Sequence, residues 1–132
     1  MRILVVDDDN TCRLIMIAFV EKHGAVSVAT NGKEALTIVA TALMEGVPFD
    51  LICLDVMMPE MDGHAVLKGI RALEACYGIK ELSGSKIVMT TALDDFKNVS
   101  ASYNNLCNGY LVKPIRKERV KEELIALKLI AP

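Results

Sequence analysis

The sequence predicts an α/β domain: a doubly wound, five-stranded parallel sheet with helices on both faces. Three observations lead there. Short apolar runs alternate five times with segments of helical period. Runs such as Leu51 to Leu54 are apolar without a break, as a strand buried on both faces requires. Turn signals such as Asn31-Gly32 and Asp62-Gly63 separate the segments. Strands and helices in strict alternation pack most simply as one parallel sheet between two helical layers.

The elements follow in order. Arg2 to Val6 is the first strand, stopping at Asp7-Asp8-Asp9. From Asn10 to about His23, Leu14, Ile15, Ala18 and Phe19 recur at helical spacing, and Gly24 ends the helix. Ala25 to Ala29 alternates like a strand with one better-covered face. Asn31-Gly32 opens a second helix through Leu36, Val39, Ala40 and Leu43, ending near Gly46 and Pro48. Phe49 to Leu54 is the third strand, and Gly63 to about Cys76 the third helix. Lys86 to Thr90 is the fourth strand. Asp94 to Leu106 is the least apolar helix of the set. Gly109 to Val112 is the fifth strand and Arg116 to Lys128 the last helix. No linker or low-complexity tract divides residues 1–132, so one domain is expected.

Composition bounds the function. With 52% apolar and 24% charged residues the chain is globular, not disordered. A net charge of −2 gives no electrostatic reason to expect direct nucleic-acid or membrane binding. Cys12, Cys53, Cys76 and Cys107 lie far apart with no C-x-x-C pair, against a zinc site or a disulfide scaffold. Cys53 and Cys107 read as small buried hydrophobes. There is neither a signal peptide nor an apolar run of membrane-spanning length, so a cytoplasmic location is expected.

Polar residues gather at one rim. Ligands of doubly wound sheets bind beyond the carboxyl ends of the strands. Asp7, Asp8 and Asp9 follow the first strand, Asp55 the third, Thr91 the fourth and Lys113 the fifth. Clustered carboxylates invite a hard divalent cation. A lysine and a threonine hydroxyl suit an anion. Together they point to a phosphoryl site, with Asp55 as the candidate nucleophile. His23 and His64 have no partnered motif and read as ordinary surface or packing residues.

Four motifs now stand in order: ILVVDDD (3–9), LDVMMPEMDG (54–63), MTTAL (89–93) and GYLVKP (109–114). With them the chain resembles the receiver domain of two-component response regulators, close in size to the stand-alone chemotaxis regulators, over about residues 2–128. The resemblance implies a flavodoxin-like fold with strand order 2-1-3-4-5. It implies that Asp55 accepts a phosphoryl group from a histidine kinase or histidine phosphotransfer protein. Mg²⁺ would be held by Asp8, by Asp7 more weakly or through water, by Asp55, and by the backbone carbonyl of Met57. Thr91 would bond a phosphoryl oxygen with help from the Ala92 amide, and Lys113 would pair with Asp55. Thr91 and Tyr110 would form the switch, and the helix at 94–106, the fifth strand and the last helix the output face. The resemblance also implies a cis Lys113-Pro114 bond, which would aim the Lys113 side chain at the site. Asp9 is either an extra site acid or a solvated loop charge. Met58 reads as core packing. Met57 and Leu93 would flank the path of water to the acyl phosphate, and their apolar character implies slow self-dephosphorylation.

Three functions compete. The first is a stand-alone receiver, which Met1 directly before the first strand and the lack of a trailing linker favour. The second is a receiver module of a longer regulator or hybrid kinase. The third, an enzyme with an aspartyl-phosphate intermediate such as a haloacid-dehalogenase-like phosphatase, wants a second acid two residues after the nucleophile, where Met57 stands. A signalling protein rather than an enzyme is expected, acting as a monomer or weak dimer on an unidentified downstream protein.

Overall fold

The computed structural model describes residues 1–80, 83–92 and 106–132. Its sheet contains β1 (Arg2–Val6), β2 (Ala25–Ala29), β3 (Leu51–Asp55), β4 (Lys86–Thr91) and β5 (Gly109–Val112). All neighbours are parallel and the order is β2-β1-β3-β4-β5, as the resemblance implies. The helices are α1 (Asn10–Val20), α2 (Gly32–Met44), α3 (Gly63–Cys76) and α4 (Lys117–Ala126). The helix expected at 94–106 lies, apart from Leu106, outside the described residues, and so does Leu93.

Alternation of side chains along the central strands divides the core in two. Leu4, Val6, Ile52, Leu54, Ile87 and Met89 face α2 and α3. Ile3, Val5, Leu51, Cys53 and Val88 face α1 and α4, meeting Met16, Val20, Val120 and Leu124. Burial on both faces explains why β1, β3 and β4 read as unbroken apolar runs. The alternation expected of β2 is blurred, with Val28 40% exposed and Ala29 fully buried. Among the described residues it is an edge strand, paired with β1 alone, so its outer side has no strand neighbour there.

Boundaries moved where local bonds outweighed periodicity. The first helix breaks at Val20 into a 3₁₀ turn over Glu21–His23. β3 starts at Leu51 because Asp50 is occupied elsewhere, its carboxylate and amide bonded to the backbone of Arg2 at 2.7 and 2.8 Å. The starts of α1, α2 and α3 are capped by side chains: Asp9 accepts from the Cys12 amide, Asn31 from Glu34 and Asp62 from Ala65. Each such cap stabilises its helix by ~1 kcal/mol. Past α2, Gly46 adopts φ +73°, the left-handed turn that glycine enters without strain.

At the amino end of β4 and β5 a buried polar network ties α3 to the sheet. The Arg71 guanidinium bonds Glu74 at 2.7 Å, the carbonyls of Ser85 and Leu106 at 2.9 and 2.8 Å, and Asn108 at 2.9 Å. The second Glu74 oxygen accepts from the Ser85 amide at 2.8 Å. Asn108 Oδ1 also accepts from Ile87, holding the start of β4.

Candidate functional site

The opposite end of the sheet carries the acids. Asp55 is the last residue of β3, opposite Thr90 of β4, and only 2% exposed. Continuing the ladder, the Val56 amide donates to Thr90 at 3.0 Å, which fixes the backbone beyond Asp55. The chain then folds back, and the Gly63 amide donates to the Val56 carbonyl at 2.9 Å. A Cβ at residue 63 would stand 2.5 Å from the Asp55 carbonyl oxygen, so this close return needs glycine.

Asp7 follows β1 and is also buried, while Asp8 is exposed. The Asp7 carboxylate accepts from the Asp9 amide at 2.9 Å, and its carbonyl accepts from Arg13 at 2.9 Å. Asp7, Asp8 and Asp55 each offer a carboxylate oxygen, all within 4.8 Å of one another. Lys113 reaches in from the end of β5, where its amide donates to Thr91 at 2.8 Å. Its ammonium lies 3.2 Å from Asp55 Oδ1 and 3.8 Å from Asp7 Oδ2. The Asp55 oxygen also accepts from the Met57 amide at 3.2 Å.

Among the described residues the charges do not balance: three carboxylates cluster, and one ammonium pairs with two of them. Burial, and next the Asp7 charge, push the Asp55 carboxyl up to about 6, against the pull of Lys113. Burial alone would lower Lys113, but Asp55 and Asp7 outweigh it and raise it. The donor set suits a hard divalent cation. Three carboxylate oxygens within 4.8 Å of one another are close enough to converge on one such ion.

The remaining candidates sort as follows. Thr91 is fully buried, its hydroxyl donating to the Ala92 carbonyl at 3.3 Å. It lies two residues beyond Met89, which pairs with Tyr110, so Thr91 and Tyr110 share one face of the sheet. Tyr110 is half-buried against the α2–α3 core, and its hydroxyl is held protonated by burial and by its bond with Cys107. The Met57 side chain is 62% exposed, whereas Met58 packs in the core. The Lys113-Pro114 bond is cis. Asp9 is the N-cap of α1, a role that neither reading from the sequence included. His64, near the start of α3, and His23, closing the 3₁₀ turn, stand outside the acidic cluster. Arg13 escaped the sequence reasoning altogether. Its signal was a cation in the opening turn of a helix, where the dipole disfavours one unless a carbonyl holds it.

The family profile described as the response regulator receiver domain matches residues 3–125. The chain belongs to this receiver family. It is 31% identical to the chemotaxis protein CheY of Bacillus subtilis over 125 residues, covering 93% of each chain. It is 34% identical to the probable transcriptional regulator ycf27 of Cyanidium caldarium over 92% of its own length but 44% of that relative's. The receiver thus spans about half the length of relatives of that kind. Among solved structures, the receiver domain of the Arabidopsis thaliana histidine kinase CKI1, complexed with Mg²⁺ and BeF₃⁻, superposes with TM-score 0.72 at 25% identity. That match covers 97% of this chain and 88% of the other. No helix among the described residues is long and apolar enough to cross a membrane.

Proposed function

We propose that this receiver accepts a phosphoryl group on Asp55 from a histidine kinase or histidine phosphotransfer protein, with Mg²⁺ bound beside it. The observation that carries the reading is Asp55 itself: a buried carboxylate at a strand end, 3.2 Å from one ammonium and crowded by two further acids. Asp8, Asp7, Asp55 and the Met57 carbonyl would hold the ion. Mg²⁺ would neutralise charge on the transferring phosphoryl oxygens.

The chain's own residues do the rest. One Asp55 oxygen attacks phosphorus as the donor's P–N bond breaks, and the donor imidazole keeps the bonding electron pair. Lys113 leaves the carboxylate for a phosphoryl oxygen, a move its flexible stem permits. The Thr91 hydroxyl and the Ala92 amide take another. Drawing Thr91 toward the phosphoryl group opens room on the face it shares with Tyr110, and the ring turns inward. This shifts the population toward the signalling arrangement of β5 and the elements beside it. The product is a phosphorylated protein read by a partner, not a released chemical product. The apolar Met57 beside the acceptor slows hydrolysis, and a polar side chain there should speed it.

Intact mass after incubation with acetyl phosphate and Mg²⁺ tests the assignment. One added phosphoryl group, absent in Asp55→Asn and in EDTA, supports it. Addition that persists in Asp55→Asn rejects Asp55 as the acceptor. The size of relatives such as ycf27 favours, as a second reading, the same chemistry serving as the input module of a longer regulator.

A further inference from the structure

Beside the acidic cluster lies a cavity that this chemistry does not use. It has a volume of about 140 Å³ and opens between the start of α1 and the loop from β5 to α4. Its walls are Val5, Val6, Ile15, Met16, Pro114 and Ile115, with the thiols of Cys12 and Cys53. It belongs to the α1–α4 face of the sheet, where Val5, Met16 and Cys53 form part of the core. Thr90 also lines it, and Asp7 and Lys113 stand where it meets the acidic cluster.

Size and polarity define the occupant. An apolar cavity of about 150 Å³ stays dry and binds benzene or xenon, so this one matches a single small ring. An anion would meet the surplus carboxylates at the rim, and a cation would be drawn past the hydrocarbon walls into them. The Lys113 ammonium is already turned to Asp55 and Asp7, so what remains to meet a ligand is uncharged: the Thr90 hydroxyl, the two thiols and the hydrocarbon walls. A neutral, largely hydrocarbon molecule gains from the walls and forfeits nothing at the rim.

We propose that this cavity is an effector site for a small neutral apolar molecule about the size of a benzene ring, coupled to the acidic cluster through Asp7 and Lys113. An occupant against these two side chains restrains how far they can move when a cation arrives. By linkage, cation and ligand must alter one another's affinity by the same factor. The coupling half rests on the proposed cation site; the binding half does not.

The test is a benzene titration of the full chain followed by amide NMR, without and with Mg²⁺. Saturable shifts centred on Cys12, Ile15 and Ile115 are expected, lost in Cys12→Leu, which fills the cavity. Should that variant fail to fold, Ile15→Phe fills it from the exposed side. Mg²⁺ should change the benzene affinity severalfold. Absent shifts, shifts unaltered by filling, or shifts centred on the groove between α2 and α3 overturn the site. If amide shifts at Asp8 and Met57 report bound Mg²⁺ but benzene affinity is unchanged, the coupling is overturned. If those amides do not respond to Mg²⁺, the proposed cation site has failed, and binding of benzene is judged alone.

Discussion

At the amino end of the sheet, Arg71 and Glu74 meet at 2.7 Å, and both oxygens of the acid and three nitrogens of the base are bonded. At the carboxyl end, Asp7, Asp8 and Asp55 cluster, with Lys113 3.2 Å from Asp55 and 3.8 Å from Asp7. Both ends bury charge, but the first is neutral and saturated whereas the second is negative and loosely bonded. A saturated pair locks the structure and offers nothing to a ligand. An unsaturated cluster stores repulsion that a bound cation would relieve.

Breaking the saturated end should have the largest effect on stability. Glu74→Ala leaves a buried guanidinium without its carboxylate and the Ser85 amide without its acceptor, a loss of about 3–5 kcal/mol. Asp55→Asn removes repulsion and should leave stability unchanged or higher. Urea unfolding of both variants decides the matter; equal losses would erase the distinction between the two ends.

The unsaturated end should respond to the cation. Mg²⁺ at a hundred times its dissociation constant should stabilise the parent by about 2.7 kcal/mol. In Asp8→Asn, an exposed position with no side-chain bond to another described residue, nearly all of that gain should vanish while stability without Mg²⁺ holds. Thermal unfolding with and without EDTA reads the difference. A metal-free protein already weakened by Asp8→Asn would mean that the acid is structural.

Gly63→Ala probes how the site is held in place. The added methyl would meet the Asp55 carbonyl oxygen at 2.5 Å and Val56 Cα at 2.7 Å, both backbone atoms that cannot swing aside. Overpacking of this kind costs about 1–3 kcal/mol. Because the displaced peptide carries the proposed acceptor, labelling by acetyl phosphate should slow as well. Normal labelling at reduced stability would show that the loop yields without moving Asp55.

These two ends were unequally legible in the sequence. Asp7, Asp8, Asp55, Thr91 and Lys113 each follow an apolar run, so a parallel sheet brings them to one rim before any contact is known. Arg71, Glu74, Ser85 and Asn108 have no such marker. Two lie within an amphipathic helix and two in loops, and only tertiary packing joins residues 37 apart in the chain. Period and register showed where strands end; they could not show which surface charges turn inward. Helix ends failed for a related reason: nothing in Glu21-Lys22-His23 marks the change to a 3₁₀ turn, and the helix expected over Arg116 to Lys128 forms over Lys117–Ala126.

Asp9 gives the smallest effect and the sharpest division between structure and site. It stands next to two cluster acids, yet its carboxylate accepts from the Cys12 amide at 3.1 Å and caps α1. Asp9→Ala should cost ~1 kcal/mol and leave the Mg²⁺ dissociation constant close to that of the parent. Asp9→Ser keeps a capping oxygen without the charge and should restore most of the stability. If Asp9 instead belonged to the cation site, serine would rescue the helix but not the metal affinity. Measuring both quantities on the two variants therefore separates the roles, and it also fixes where the unsaturated cluster stops.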